Sequence, residues 1–258
     1  MSTRIALLSD IHGNVAALEA VRKALKKEKP DQVIVAGDLV FQGPEPEAAL
    51  AAVREMEAAG ALVVGGNTDV AVADADYSAA FPWFTDGVPE SFQVAAEWAN
   101  DQLSDEALDW LRKLPTERRL RVAGGDGRGD PDGVTMVLGV HASPGSQTLG
   151  FDQHLDPSVT LDRMSRTDAR VVCVGHTHVP EIREFGWRLI VNGGSAGWVF
   201  DGDPTASWAM ITIDGDEIRA EIRRTDFDTL AVSNALSTRG LPGDVYRAAT
   251  VRTGKLVR

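Results

Sequence analysis

Seven polar side chains stand where apolar runs of the sequence come to an end. They follow the runs "RIALLS", "QVIVAG", "ALVVGG", "TMVLGV" and "RVVCVG", and they are Asp10, His12, Asp38, Asn67, His141, His176 and His178. They include four of the five histidines of the chain, a concentration that unrelated turn residues would not produce. Carboxylate, carboxamide and imidazole groups are all metal ligands, so we interpret the set as a candidate metal site.

The donor types favour two divalent ions. A mixed set of oxygen and imidazole donors suits Mn²⁺, Fe²⁺, Zn²⁺ or Ni²⁺, whereas oxygen donors alone would indicate Mg²⁺ or Ca²⁺. Seven ligands exceed what one ion needs while it keeps a position for substrate. Two ions about 3.5–4 Å apart can hold a phosphoryl group and activate a shared water. We expect two divalent ions, with Mn²⁺ as the first choice, bridged by the two oxygens of Asp38.

The elements that must position these residues alternate between strand and helix in the first third of the chain. Strands joined by helices pair in parallel, so their carboxyl ends meet at one edge of a sheet. The predicted strands are Arg4–Asp10, Gln32–Leu39 and Ala61–Asn67, and the predicted helices are Val15–Lys27 and the segment from Pro44 to Gly60. This order would bring the first four candidate ligands together.

Residues 68–115 have a different character. The pattern predicts a helical insertion over one edge of the active face, in which Ser104 caps a helix that ends before Pro115. Aromatic residues of this insertion could line a pocket that stacks a nucleobase, although we favour a hydrophobic cap or an oligomer contact. They are Tyr77, Phe81, Trp83, Phe84 and Trp98.

Three later segments complete a single domain that spans residues 1–258. Gly124–Gly133, "GGDGRGDPDG", predicts a hairpin tip, because the spacing and terminal glutamate of a calcium loop are missing. The run "SWAMITIDGDEIRAEIRR" predicts a hairpin that turns at Asp214-Gly215. Residues 227–258 form a basic tail that could dock on the acidic body, stay mobile or help to hold an anionic substrate.

Composition narrows the class of protein. The formal net charge of −12 argues against extended nucleic-acid binding and against binding to an anionic membrane. The single cysteine, Cys173, cannot form an internal disulfide and lies in an apolar run, so we expect a core residue in a reducing, cytoplasmic compartment. No apolar run is long enough to span a bilayer.

The ordered motifs "DIH", "GD", "GN", a lone His141 and "GHTH" resemble those of the calcineurin-like metallophosphoesterases. The resemblance covers residues 10–178 and implies an α/β fold, a four-layer αββα sandwich of two mixed β-sheets flanked by helices. It implies two sets of metal ligands that share Asp38. One set is Asp10, His12, Asp38 and His178, and the other is Asp38, Asn67, His141 and His176.

The resemblance further implies a small bacterial phosphodiesterase or phosphatase. We expect hydrolysis of phosphate esters, foremost phosphodiesters, by in-line attack of a metal-bridging hydroxide. Asp38, Asn67 and His141 would act as catalytic residues, the last two by orienting the phosphate as well as by ligation. The expected substrate is a small phosphorylated molecule, which could be a nucleotide.

The sequence departs from the family pattern at Thr68, in "GNTD". Many members have a histidine there that is thought to protonate the leaving oxygen, and threonine cannot act as a general acid near neutral pH. The enzyme would then favour leaving groups that need little protonation, or would use a metal-bound water or another side chain. His154, in "FDQHLDP", could reach the site from a loop, although such a histidine is more commonly at the surface.

Two other functions stay open at this point. A non-catalytic scaffold could retain the same fold, but members of that kind lack ligands and this sequence has all seven. A phosphomonoesterase or a dinucleoside polyphosphate hydrolase would use the same motifs. Neither the oligomeric state nor the natural substrate follows from the sequence.

Overall fold

A computed structural model describes residues 2–124 and 133–258. Helices and strands alternate as the sequence predicts until residue 64, and four helices then follow in succession. The first half consists of β1 (Thr3–Leu8), α1 (Val15–Glu28), β2 (Gln32–Ala36), α2 (Pro46–Ala58), β3 (Leu62–Val64), α3 (Asn67–Asp74), α4 (Tyr77–Ala80), α5 (Glu90–Asp101) and α6 (Asp105–Arg112). Ser104 caps α6 as expected, since its hydroxyl accepts a hydrogen bond from the N–H of Ala107.

The second half is richer in strands and ends in two helices. It consists of β4 (Glu117–Ala123), β5 (Val134–Val140), α7 (Pro157–Met164), β6 (Val171–Val174), β7 (Glu181–Phe185), β8 (Arg188–Asn192), β9 (Ala206–Asp214), β10 (Glu217–Thr225), α8 (Thr229–Arg239) and α9 (Asp244–Thr253). Among the described residues, no helix has the length and apolar character needed to cross a membrane.

The strands form two mixed five-stranded sheets, which confirms the predicted fold class. The first sheet has the order β10-β9-β1-β2-β3 and the second has the order β4-β5-β6-β8-β7. β1, β2 and β3 are parallel, as are β5, β6 and β8, whereas the outer pairs are antiparallel. The parallel strands at each centre therefore carry the candidate ligands at their carboxyl ends.

Side-chain alternation along the strands builds the layers. In β1, Ile5 and Leu7 belong to the core between the two sheets, whereas Ala6 and Leu8 pack with residues of α1 and α2. Cys173 lies in the same inter-sheet core, and burial raises the pKa of its thiol to about 12. On the far side, Met164 of α7 packs against the outer face of the second sheet. The order helix, sheet, sheet, helix gives the αββα sandwich.

The tail of residues 227–258 is docked, one of the three alternatives that the sequence left open. Val232 and Leu236 of α8 pack with Ala248 and Val251 of α9 and with Trp198. Sequence patterning did not predict these two helices, because their buried residues are few and their apolar faces are short.

The two predicted hairpins have different outcomes. Residues 125–132 of the Gly124–Gly133 tip lie outside the described residues, although the flanking β4 and β5 pair antiparallel, from Glu117 with Val140 to Ala123 with Val134. In the β9-β10 hairpin, Asp214 pairs with Glu217, so the turn is at Gly215 and Asp216, one residue later than predicted. Gly215 has a φ of +60°, a conformation that glycine adopts without strain.

Candidate metal centre

The seven candidate ligands come together where the two sheets meet. Six of them follow β1, β2, β5 and β6. The apolar runs predicted longer strands that include ligands, whereas each observed strand ends before its ligand. Asn67 is different again, because it is the first residue of α3. The other six ligands therefore lie on short loops beyond the strand ends, where the chain can turn each side chain inward.

Strained backbone marks these loops. Five candidate ligands have positive φ values, and they are Asp10 (54°), His12 (51°), Asp38 (57°), His176 (68°) and His178 (60°). The described residues include only three other non-glycine residues of this kind. Left-handed conformations are unfavourable for residues with a Cβ and concentrate at functional sites, where surrounding structure maintains them.

Four ligand atoms from Asp10, His12, Asp38 and His178 lie within 4.8 Å of one another, and all four residues are buried. Nε2 of His178 is 3.2 Å from Nε2 of His12 and 3.3 Å from Oδ1 of Asp10. Nε2 of His12 is 3.6 Å from Oδ2 of Asp38. Two imidazole nitrogens and two carboxylate oxygens therefore face one small space.

The other nitrogen of each ring is already engaged. Nδ1 of His12 contacts the carbonyl oxygen of Phe41 at 3.0 Å, and Nδ1 of His178 contacts that of Trp198. A carbonyl only accepts, so Nδ1 of each ring carries a hydrogen and each Nε2 is the atom that remains to bind a metal. Oδ1 of Asp10 is also buried and has no hydrogen-bond partner within residues 2–124 and 133–258. Two imidazole nitrogens and two carboxylate oxygens in one buried space are a donor set that fits a divalent metal ion.

A second group adjoins the first. Nε2 of His141 lies 2.9 Å from Oδ1 of Asn67, 3.2 Å from Nδ1 of His176 and 3.4 Å from Oδ1 of Asp38. Nδ1 of His141 again contacts a backbone carbonyl, that of Ala36, at 2.7 Å. Asp38 thus directs one carboxylate oxygen toward each group.

The field at this place favours positive charge. Burial lowers the pKa of His141, but the charges of Asp38 and Asp10 outweigh it and raise that pKa to about 10. Burial raises the pKa of Asp38, but His141 outweighs it and keeps that pKa far below its ordinary value. Burial, with a contribution from the neighbouring His178, lowers the pKa of His12 to about 4 and leaves a neutral imidazole, the form that binds metals.

Asp69 supports the site, and the sequence analysis did not identify it. Its carboxylate accepts backbone hydrogen bonds from Asp38 at 3.0 Å, Leu39 at 2.8 Å and Gly66 at 2.9 Å. Burial and the charge of Asp38 raise its pKa to about 7. The sequence signal for this role was the position of Asp69, two residues after the candidate ligand Asn67. Only the fold shows what its carboxylate contacts.

Two glycines permit the close approach of neighbouring loops. A Cβ at Gly66 would collide with the carboxylate and backbone of Asp38, and one at Gly175 would collide with Ser9 and Asp10. Ser195 links its own loop to that of Asp10, because its hydroxyl donates a hydrogen bond to the carbonyl oxygen of Asp10 at 2.7 Å. Candidate ligands from distant parts of the chain are thus held by direct contacts between their loops.

A cavity of about 740 Å³ opens from the cluster. Phe81, Trp83 and Phe84 line it, whereas the other two aromatic residues singled out in the insertion, Tyr77 and Trp98, do not. Residues of the C-terminal segment 243–258 form another wall. His154 is exposed and does not line the cavity.

Comparisons with known proteins agree with this geometry. A family model described as the calcineurin-like phosphoesterase superfamily domain matches residues 3–216. The chain is 25% identical over 243 residues to the uncharacterized protein MJ0912 of Methanocaldococcus jannaschii, with 88% of this chain and 89% of that protein covered.

Two solved structures are similar over nearly the whole chain. The crystal structure of a metallophosphoesterase from Sphaerobacter thermophilus has 25% identity and a TM-score of 0.72, and the match covers 98% of this chain and all of that one. The hypothetical protein PH1004 from Pyrococcus horikoshii OT3 has 20% identity and a TM-score of 0.77, with 98% of each chain covered. This second likeness concerns the fold.

Proposed function

The chain belongs to the calcineurin-like phosphoesterase superfamily, and from this premise we propose that it hydrolyses phosphodiesters with two divalent metal ions. The family and the buried Asp and His cluster indicate a metal-dependent phosphoesterase in general. The diester preference, the count of two ions and Mn²⁺ as the metal are our proposals. The observation that carries the metal-dependent hydrolysis is the 3.2 Å approach of two imidazole Nε2 atoms, those of His12 and His178, whose Nδ1 atoms already contact carbonyls.

We divide the ligands into two sets that share Asp38. The first ion would bind Asp10, His12, Asp38 and His178, and the second would bind Asp38, Asn67, His141 and His176. The two carboxylate oxygens of Asp38 support this division, because each faces a histidine of a different group. When bound, the ions would lower the pKa of a water molecule and neutralise charge on the phosphoryl group.

The residues of the chain then orient the reaction. Nδ2 of Asn67 donates to the carbonyl oxygen of Ala80 at 2.9 Å, which turns the amide oxygen toward the cluster. His141 is fully buried and fixed by its contact with Ala36. We propose that both groups position the phosphate for direct in-line attack by water, with no covalent enzyme intermediate. The buried thiol of Cys173 is too weakly acidic to act as a nucleophile.

The charge of the cavity favours a diester. A phosphomonoester carries up to two negative charges, and a diester carries one. Among the described residues that line the cavity, Arg247 and Arg258 are the only Arg or Lys residues. Arg247 is buried and engaged with Gln42, Ser91, Pro242 and Asp244. The site thus has little positive charge beyond the metal ions with which to bind a dianion.

Thr68 supports the same preference. It lines the cavity beside Asn67 and is only 5% exposed, and its hydroxyl has no hydrogen-bond partner among the described residues. The hydroxyl oxygen is itself closed to solvent, and we propose that a rotation about χ1 turns it into the cavity, where it donates a hydrogen bond to a substrate oxygen in place of the histidine of other family members. A hydroxyl can orient or polarise an oxygen but cannot protonate a leaving group near neutral pH.

We further propose a small phosphorylated substrate and a cytoplasmic location. The net charge of −12 disfavours long nucleic acids, which bind to basic surfaces. The only cysteine is a free thiol, which agrees with a reducing compartment.

The decisive experiment removes the metal and restores it. The protein is treated with chelator, and turnover of bis-p-nitrophenyl phosphate and of p-nitrophenyl phosphate is measured as Mn²⁺ is added, together with the metal content. We expect activity to return with close to two ions per chain and with a higher kcat/KM for the diester. Equal or greater monoester activity would contradict the diester preference. Turnover of neither ester and no bound metal would favour the scaffold alternative.

A further inference from the structure

The cavity is larger than a phosphate group requires. Its volume of about 740 Å³ lies within the roughly 300–1,000 Å³ of pockets that bind small organic molecules. Its lining is mainly apolar away from the candidate ligands, and Asp38 is the only acidic residue among the described residues that line it. An uncharged organic group of the substrate would therefore be accepted here.

Aromatic rings form a rigid base for this space. The ring of Phe81 lies 5.3 Å from that of Phe92 and 5.7 Å from that of Phe41, and Phe84 lies 5.4 Å from Phe92. Phe41 and Phe81 are almost completely buried. Because these rings support one another, they can hold a further aromatic residue at the cavity surface.

Trp83 is that residue. Its side chain is 49% exposed although it lines the cavity. Its ring centroid lies 5.8 Å from that of Phe81, in an edge contact, and 6.1 Å from the ring of the candidate ligand His176. An indole with an exposed surface beside the metal site can stack a flat group attached to a phosphate bound there.

The C-terminal segment provides the opposite side. Nine large apolar side chains are exposed among the described residues, and three of them line this cavity: Trp83, Tyr246 and Leu256. Tyr246 and Leu256 lie beyond residue 216, outside the part of the chain that the family model matches. Such exposed apolar surface, continuous with a phosphate site, is typical of a ligand pocket.

We propose that this cavity is a specificity pocket for a flat aromatic group of the ester, of the type found in nucleosides, and that Trp83 is its stacking platform. The inference rests on the proposed function only in that it needs a phosphate to bind at the metal ions. The aromatic walls favour a planar group over a flexible alkyl chain, because a ring stacks on indole with little loss of conformational freedom.

Binding can test this independently of turnover. Isothermal titration calorimetry of the Mn²⁺-loaded protein compares adenosine 5′-monophosphate with ribose 5-phosphate, in which a hydroxyl replaces the aromatic base, and with hexyl phosphate. We expect adenosine 5′-monophosphate to bind at least about 10-fold more tightly than either. Trp83→Ala should remove most of this difference, and Trp83→Phe should retain part of it.

A matched control is Trp187→Ala. Trp187 lies between Arg170 and Arg188 and does not line the cavity, so the preference for the base should persist in this variant. Equal binding of the two ribose phosphates, tighter binding of hexyl phosphate, or an unchanged preference in a folded Trp83→Ala protein would each overturn the inference. Where the dianionic monoesters do not bind, the same comparison with their singly charged methyl diesters decides it, and equal or absent binding of these diesters would overturn the inference. Selective binding of the base without turnover of any diester would retain the pocket and reject the proposed function.

Discussion

The carboxylate of Asp69 fixes the backbone of Asp38, because its Oδ2 accepts the N–H of Asp38 at 3.0 Å while its Oδ1 accepts that of Leu39 at 2.8 Å. The same Oδ2 accepts the N–H of Gly66 at 2.9 Å. One side chain thus joins the loop after β2, which carries Asp38, to the start of α3, which carries Asn67.

The first prediction concerns Asp69→Asn. The side chain of asparagine has only one acceptor oxygen, so the hydrogen bonds to the other oxygen of Asp69 are lost. The orientation of Asp38 is then no longer fixed. Loss of a group that supports metal ligands typically reduces metal affinity by about 10–100-fold, and we expect a decrease of that size in Mn²⁺ affinity by calorimetry. Asp216→Asn, in the exposed β9-β10 turn, is the matched control. An unchanged affinity in a folded Asp69→Asn protein would reject the supporting role.

The second prediction separates a bridging ligand from a terminal one. Asp38 faces both groups, whereas the described contacts of His12 involve only the first. We expect Asp38→Asn to weaken the binding of both ions and to reduce kcat by on the order of 100-fold or more. His12→Ala should release about one ion per chain. Metal analysis of the dialysed variants checks this, and a mild effect of Asp38→Asn on both metal content and kcat would rule out the bridge.

The third prediction is that a substitution of Thr68 lowers activity without lowering stability. Thr68→Val retains the shape but removes a buried hydroxyl that has no partner in the described part of the chain, so the free energy of unfolding should stay the same or rise by about 1 kcal/mol. If the hydroxyl contacts substrate, kcat/KM for bis-p-nitrophenyl phosphate should nevertheless decrease. Urea unfolding and steady-state kinetics measure the two quantities. A less stable protein with unchanged kinetics would indicate a purely structural threonine.

The fourth prediction concerns the docked C-terminal helices. Asp244 forms buried ion pairs with Arg239 at 2.5 Å and Arg247 at 3.0 Å, and Asp244→Asn leaves these cations without a counter-charge. Removing one partner of a buried pair typically costs about 3–5 kcal/mol of unfolding free energy. Urea unfolding at pH 7 should show a loss of this order.

The pKa of Asp244 determines how this stabilisation depends on pH. Burial raises the pKa of Asp244, but hydrogen bonds from Arg239 and Leu241 outweigh it and hold the pKa below 3.8. The stabilisation is therefore complete above the ordinary pKa and is lost as the pH falls through the lower folded value. The difference between wild type and Asp244→Asn should shrink below about pH 4. A difference that is constant down to pH 2 would show that charge is not its source.

The fifth prediction concerns Cys173. Because the thiol is fully buried between the sheets and burial raises its pKa to about 12, the thiolate is scarce at pH 8. We expect no alkylation by iodoacetamide in the folded protein and complete alkylation in urea, detected by mass spectrometry. Rapid alkylation of the native protein would show that the inter-sheet core is open.

The sequence determined the identity of the clustered residues. Side-chain type and position after an apolar run identified Asp10 and His178 as candidate ligands, and the family resemblance placed them in one ligand set although they are 168 residues apart. Parallel strands end at one edge of a sheet, so local periodicity predicted the convergence of the first four candidate ligands. The two-sheet sandwich was implied by the family resemblance, and the structure confirms it.

Only the tertiary structure decided how these residues are held. The positive φ values of Asp38 and His176 are maintained by contacts with other loops, and no local pattern specifies them. The roles of Asp69 and of the pocket wall formed by Tyr246 have the same origin. Each depends on contacts between segments that are distant along the chain, whereas propensity and periodicity describe only neighbours in sequence. The sequence therefore contained the chemistry of the site, and the packing of loops and helices around it set the geometry and the shape of the pocket.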